Sequence, residues 1–245
     1  MQRNRIAIIT LLFLSFSTIS QASYATNKVS SPEVTQDKLG LEYRAGYDVD
    51  DRAAKDGASL HKYVINYGVT DRLRPEIKVI MTDAADNDMR FTGFEPSLKW
   101  QMFKKNEAWF STALQGTYKQ DNSKRPDKLE SKLLLGKQIG KFQHLANIAV
   151  EHEIGAGRRS GTALIASWKT KYYLTDYVEP GIEFHSNFGK LNDGLSYNEQ
   201  NHQLGPSISG GIGENFRYDI GYLFGVSDAA TDGRIKLILG YIVQF

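Results

Sequence analysis

The sequence predicts an all-β chain: about twelve antiparallel strands running up and down and closing into a transmembrane barrel. Three observations carry this. Apolar residues recur at every second position over stretches of about ten residues, the length a tilted strand needs to cross a bilayer. The connections between stretches alternate short turns with longer polar loops. The final residues, GRIKLILGYIVQF at 233–245, form one more alternating strand, with Ile235, Leu237, Leu239, Tyr241, Val243 and Phe245 on one face.

The chain begins with a leader. Arg3 and Arg5 precede an apolar run from Ile6 to Phe16, and small residues follow, giving small-x-small cleavage frames after Ala22 or after Ala25. The apolar run is shorter than the roughly 20 residues a membrane-spanning helix needs, so a cleaved signal peptide over 1–25 is expected. Loss of Arg3 and Arg5 with the leader takes the formal charge from +2 to zero. A neutral balance gives no basic face for nucleic acid. The 245 residues include no cysteine, so neither a disulfide framework nor a lipid-modified N-terminus is available. Residues 26–37 carry no strand period and read as a short, mobile periplasmic segment ahead of the barrel at 38–245.

Strands are expected over 38–48, 60–69, 72–82, 89–101, 108–120, 128–139, 142–153, 161–173, 177–187, 201–211, 215–226 and 234–245. The first, LGLEYRAGYD, sets Leu39, Leu41, Tyr43, Ala45 and Tyr47 against Gly40, Glu42, Arg44 and Gly46. Turns after even-numbered strands are short (Thr70-Asp71, Gly140-Lys141, Leu174 to Asp176, Gly211 to Asn215), and loops after odd-numbered strands are mostly longer. An even count puts both chain ends on the short-turn, periplasmic side. TDRLRPEIKV at Thr70 and TDYVEPGIEF at Thr175 share a threonine, a proline five positions on and an isoleucine two beyond, which reads as shared turn chemistry. Pro96 and Pro206 fall inside expected strands, where each removes a ladder donor; they mark bulges or displaced boundaries.

In hydrocarbon a sheet persists only when its edges meet, so the last strand must pair with the first. Its ILGYIVQF resembles the C-terminal insertion signal of Gram-negative outer-membrane β-barrels, with Gly240, Tyr241, Val243 and Phe245 at the signal positions and Ile238 where a polar residue is usual. The last three strands, HQLGPSISGGI through FRYDIGYLFGVSDAATDGRIKLILGY, resemble a loose group of proteobacterial barrels often labelled transporters or phenol-degradation MetA-like proteins. The resemblance implies export through the periplasm, insertion by the barrel assembly machinery, and contact with outer-membrane lipid and lipopolysaccharide. It implies neither a catalytic motif nor a solute.

If the apolar face meets lipid, the mixed face lines the lumen. The candidate lumen-lining residues are Glu95, Lys99, Glu130, Lys132, Lys169, Lys171, Glu179, Glu183, His185, Arg217 and Asp219. Acids and bases on neighbouring strands come within reach of each other, either as a network that fills the interior or as the wall of a water path. About eight strands leave room only for side chains and 16–18 leave an open channel, so twelve favours a narrow polar pore. Outward aromatics (Tyr43, Tyr67, Trp100, Trp168, Tyr172, Tyr222 and Phe245) are expected in the interfacial belts.

Two other chemistries are weak. In FHSNFG the adjacent His185 and Ser186 point to opposite faces, unlike the His-x-Ser motif of outer-membrane phospholipase, so no catalytic residue is assigned. The loop aspartates Asp48, Asp50 and Asp51, or Asp83, Asp86 and Asp88, match no calcium-loop spacing, and His61 and His202 show no partner. No metal or cofactor is expected. A small-solute channel leads, ahead of a closed-lumen barrel acting through its loops and of a lipid-active enzyme.

Overall fold

The computed structural model describes residues 28–83, 89–123 and 125–245; the expected leader at 1–25 lies outside them. Among the described residues twelve strands form a single closed ring: β1 Lys38–Val49, β2 Ser59–Tyr67, β3 Leu73–Asp83, β4 Arg90–Phe103, β5 Ser111–Asp121, β6 Asp127–Ile139, β7 Phe142–Ile154, β8 Thr162–Tyr172, β9 Glu179–Lys190, β10 Asn201–Ile212, β11 Phe216–Gly225 and β12 Gly233–Gln244. Each strand pairs antiparallel with its sequence neighbours, and β12 pairs with β1 from Lys38↔Gln244 to Val49↔Gly233. That seam leaves neither edge strand with an open row of amides and carbonyls, as a lipid-embedded sheet requires.

Alternation sets the two faces. Leu41, Ile65, Ile77, Val79, Leu98, Leu114, Ile148, Ile182, Ile208, Ile220 and Ile235 are all exposed on the outside. They abut across strands, as in Tyr241↔Leu41, Leu41↔Ile65 and Ile65↔Ile77. Apolar exposure that encircles a protein has no place in water and suits hydrocarbon. A register slip of one residue would turn these side chains inward and the charges outward, so burial fixes the register. Tyr67, Trp100 and Tyr172 lie toward the short-turn ends of β2, β4 and β8, as expected of a belt. Tyr43 and Trp168 instead lie midway along β1 and β8, since Tyr43 pairs with Leu239 and Tyr63, and Trp168 with Ala146 and Phe184.

Turn chemistry explains the short end. Only Gly140 of the two-residue Gly140-Lys141 turn has positive φ (57°), which fits a type II′ hairpin. The echoed turns share one device: Thr70 Oγ1 accepts from the Leu73 amide at 2.9 Å, and Thr175 Oγ1 accepts from the Val178 amide at 3.1 Å. The turn before β5 is longer than expected, and β5 starts at Ser111 rather than 108. Glu107 closes that turn by accepting from the Lys104 amide at 2.8 Å.

Pro96 and Pro206 mark neither bulges nor boundaries. Both lie within continuous strands, and the ladder toward β5 resumes from Phe94↔Gln120 to Ser97↔Thr117 without a register shift. The ladder toward β11 does the same from Leu204↔Phe224 to Ser207↔Gly221. Each proline interrupts pairing on one side only. The register shifts occur elsewhere, where Thr92, Met102 and Phe188 stand unopposed. Beside Phe188, Gly189 takes φ 74°, the left-handed conformation a glycine bulge uses.

Residues 28–36 do not trail outside the barrel. They enter the lumen at the short-turn end, with Pro32 fully buried and Val29 and Val34 nearly so. Asp37 (φ 58°) reverses the chain into β1, and its carbonyl accepts from the Phe245 amide at 3.0 Å. The segment's own backbone is bonded inside: the Ser30 amide to Asn147 Oδ1 at 2.7 Å, Asn147 Nδ2 to the Ser30 carbonyl at 2.8 Å, and the Val34 amide to Gln101 Oε1 at 2.8 Å.

Candidate functional site

Inward positions of neighbouring strands stack charge against charge. Glu183 on β9 is the centre of one cluster: its Oε1 lies 2.5 Å from Lys236 Nζ and 2.7 Å from Lys169 Nζ, and its Oε2 lies 3.0 Å from His185 Nε2. Asp219 on β11 lies 2.8 Å from the same Lys169 and 3.1 Å from Lys236. The arrangement follows from register, since Lys169 pairs with Glu183, and Gly221, two residues from Asp219, pairs with Lys236. Lys236 and Glu183 are essentially sealed from solvent, with side chains 1% and 0% exposed. A buried carboxylate stays ionised only when cations replace its lost hydration, and here Glu183 and Asp219 share Lys169 and Lys236, with His185 beside Glu183.

A second cluster runs over β1 to β4. Lys62 lies 3.0 Å and Lys78 3.4 Å from Glu95, while Glu76 collects Lys78 at 3.2 Å, Arg74 at 3.6 Å and Arg44 at 3.7 Å. A third joins β5, β6 and β7: Lys119 bridges Glu130 at 2.6 Å and Glu151 at 2.7 Å, and Lys132 reaches Glu130 at 2.9 Å. Toward the short-turn end Lys171 pairs with Glu179 at 2.5 Å, and Lys99 Nζ donates to the Ser31 carbonyl at 2.6 Å. Arg217 lies near the rim and donates to the carbonyls of Phe216 at 2.8 Å and Gly213 at 3.2 Å. All eleven sequence-selected residues thus lie on the inner wall or its rim, but in separate groups rather than in one site.

Neutral inward residues were not singled out in the sequence, yet several bind the N-terminal segment. Gln101 Nε2 donates to Glu33 Oε2 at 3.0 Å, Ser111 Oγ donates to Glu33 Oε1 at 2.6 Å, and Asn147 holds Ser30. Their signal was positional: Gln101 continues the inward row Glu95, Ser97, Lys99 on β4.

Below residues 28–35, toward the short turns, the lumen keeps a cavity of about 740 Å3. Lys38, Arg74, Lys99 and Arg217 face it, together with Leu145 and Ile238. At the other end the loops are clasped. Arg52 grips Asp50 through two contacts of 2.6 Å and donates to the carbonyls of Asp228 (2.7 Å) and Ala230. The guanidinium holds the Asp50 carboxyl below its usual range, mainly through those hydrogen bonds. Asp48 pairs with Arg234. Two of the loop aspartates weighed as ion ligands therefore already have cationic partners; Asp86 and Asp88 lie outside the described residues.

His185 faces Glu183 inside, whereas Ser186 faces outward, so the pair diverges as alternation requires. His202, without a partner by sequence, faces Ser186 across the β9–β10 ladder: its Nδ1 lies 2.7 Å from Ser186 Oγ and its Nε2 3.0 Å from Gln200 Oε1. Tyr197 stacks on the imidazole at 4.5 Å and Phe184 lies parallel at 6.2 Å, so both hydroxyl and ring are covered. His61 likewise has partners, Tyr43 OH at 2.7 Å and Ser59 Oγ at 3.0 Å.

No protein-family model and no curated protein matches the chain. Among solved structures it is similar to an outer membrane channel from Pseudomonas putida F1, with 12% identity and a TM-score of 0.60, covering 91% of this chain and 98% of that one. Weaker likenesses, which carry no argument, join it to OccD1 (OprD), at 10% identity, TM-score 0.41 and coverage of 84% and 65%, and to LpxR from Salmonella typhimurium, at 11%, 0.42 and coverage of 84% and 100%. At these identities the likeness speaks for the fold. An apolar exterior around a closed, charged ring agrees with it, and the chain has the closed β-barrel fold that the Pseudomonas putida outer membrane channel also has.

Proposed function

We propose that the chain is a narrow channel for small solutes across the outer membrane, with residues 28–36 narrowing its periplasmic end. The observation that carries this is the polar cavity of about 740 Å3 that the N-terminal segment and the inner wall leave unfilled. Side chains alone would fill a ring of about eight strands, but twelve leave room for water beside the ion-pair clusters. Solute passage needs no covalent chemistry, and the covered Ser186 hydroxyl supports assigning none. Outer-membrane lipid and lipopolysaccharide would contact the apolar band, and the assembly machinery would read β12.

The test is current through the folded protein in planar bilayers. Single-channel steps are expected from the full mature chain. Larger steps are expected after Gln101→Ala with Asn147→Ala, which removes the side chains that hold the segment's backbone. Correctly folded protein that passes no current in either form would sink the channel reading. It would leave a second reading, a closed barrel that acts through its loops, for which the seating of the N-terminal segment is the favouring observation.

A further inference from the structure

The cavity at the short-turn end is not electrically balanced. The acids around it already have donors. Glu33 accepts from Gln101 and Ser111, Glu42 from Lys28 and Arg44, Asp176 from Tyr173, Glu179 from Lys171, and Asp219 from Lys169. The bases are less well served. Among the described residues no carboxylate lies within 4.0 Å of Lys38, Lys99 or Arg217. Lys99 is 97% buried, and its ammonium meets the Ser31 carbonyl. Arg74 reaches Glu76 only at 3.6 Å, and its Nε is buried with no acceptor. Arg74 and Arg217 are the charged neighbours of Lys38, so the three gather like charge at one rim.

Four basic side chains face this cavity, three of them with no carboxylate within 4.0 Å among the described residues and Arg74 with Glu76 only at 3.6 Å, an arrangement that an oxyanion would complete. Leu145 and Ile238, both buried, give the same cavity an apolar wall. Its volume falls within the range of small-molecule sites, roughly 300–1,000 Å3. We propose that this cavity is a binding site for a small organic carboxylate, its oxyanion held among Lys38, Arg74, Lys99 and Arg217 and its apolar body against Leu145 and Ile238. The assignment rests on the channel reading only where transport is concerned; binding stands apart from it.

The experiment titrates sodium butyrate calorimetrically into the folded, detergent-solubilised barrel, with inorganic phosphate as a second probe. The double variant Lys38→Gln with Arg217→Gln serves as comparison. Neither residue has an acidic partner to lose, and retained heat-dependent gel mobility reports folding. Butyrate is expected to bind, and the double variant to weaken it about tenfold, the scale expected when charge partners of an anion are removed. In bilayers under a potassium chloride gradient, the reversal potential is expected to show anion preference and to move toward zero in the double variant. Butyrate binding without conductance supports the site while removing the channel reading. Conductance without butyrate binding overturns the site, as does affinity unchanged in the folded double variant. Phosphate binding without butyrate binding overturns it too.

Discussion

Glu183 is held by three basic groups, and the contact with Lys236 is the least exposed of them. The consequence of cutting that contact is asymmetric. Lys236→Met keeps most of the stem volume but leaves Asp219 and the sealed Glu183 carboxylate short of one cation. A loss of about 3–5 kcal/mol is expected, the range for breaking a buried pair from one side. Urea unfolding of the barrel in detergent micelles measures it, and a loss below about 1 kcal/mol would mean that solvent reaches the cluster. Which residues face inward was legible, because a period of two admits only two faces and charge marks one of them. The partners of His202 were not: Ser186 lies sixteen residues away, and the contact exists only through the β9–β10 register. The same holds for Gln101 and Asn147, neutral residues that look like ordinary wall until the segment they bind is placed.

At the scale of elements, the strands were readable to within three residues, since alternation and turn residues agree. The N-terminal segment was not readable, because SSPEVTQD has neither period and its place is fixed by side chains far away in sequence. The loop between β1 and β2 supplies a pH test. Arg52 depresses the Asp50 pKa, so this contact stabilises the loop above the ordinary aspartate value of about 3.9 and is lost as pH falls through the lowered folded value. Amide exchange over residues 50–58, corrected for intrinsic rate, is expected to be slow at neutral pH and to rise as pH falls through the lowered Asp50 value. Asp50→Asn should raise it at neutral pH already. Equal protection in variant and parent at neutral pH would show that the clasp does not hold the loop.

For the whole molecule, the strong constraint is that the outer band meets hydrocarbon. Ile148 lies midway along β7 and faces outward, whereas its neighbour Asn147 faces the lumen. Ile148→Lys is expected to destabilise the barrel by about 2–4 kcal/mol in lipid bilayers, the cost of lysine near the midplane. The measurement is urea unfolding in liposomes. A neutral outcome would mean that this face does not contact lipid. The closed twelve-stranded ring was legible because edge-free closure is what lipid demands, and strand number followed from counting. The extent of open lumen was not legible, because it depends on what the N-terminal segment fills.

The two prolines inside strands divide the ring unequally in strength. Pro96 leaves two residue pairs unmade between β4 and β5, and Pro206 does the same between β10 and β11. Six strands separate these interruptions in either direction around the ring, so they lie on opposite sides. A hoop weakened along two opposing lines flexes there first. Under lateral pressure from the bilayer the cross-section is therefore expected to flatten about those lines, with β5–β10 moving as one half-shell against the other.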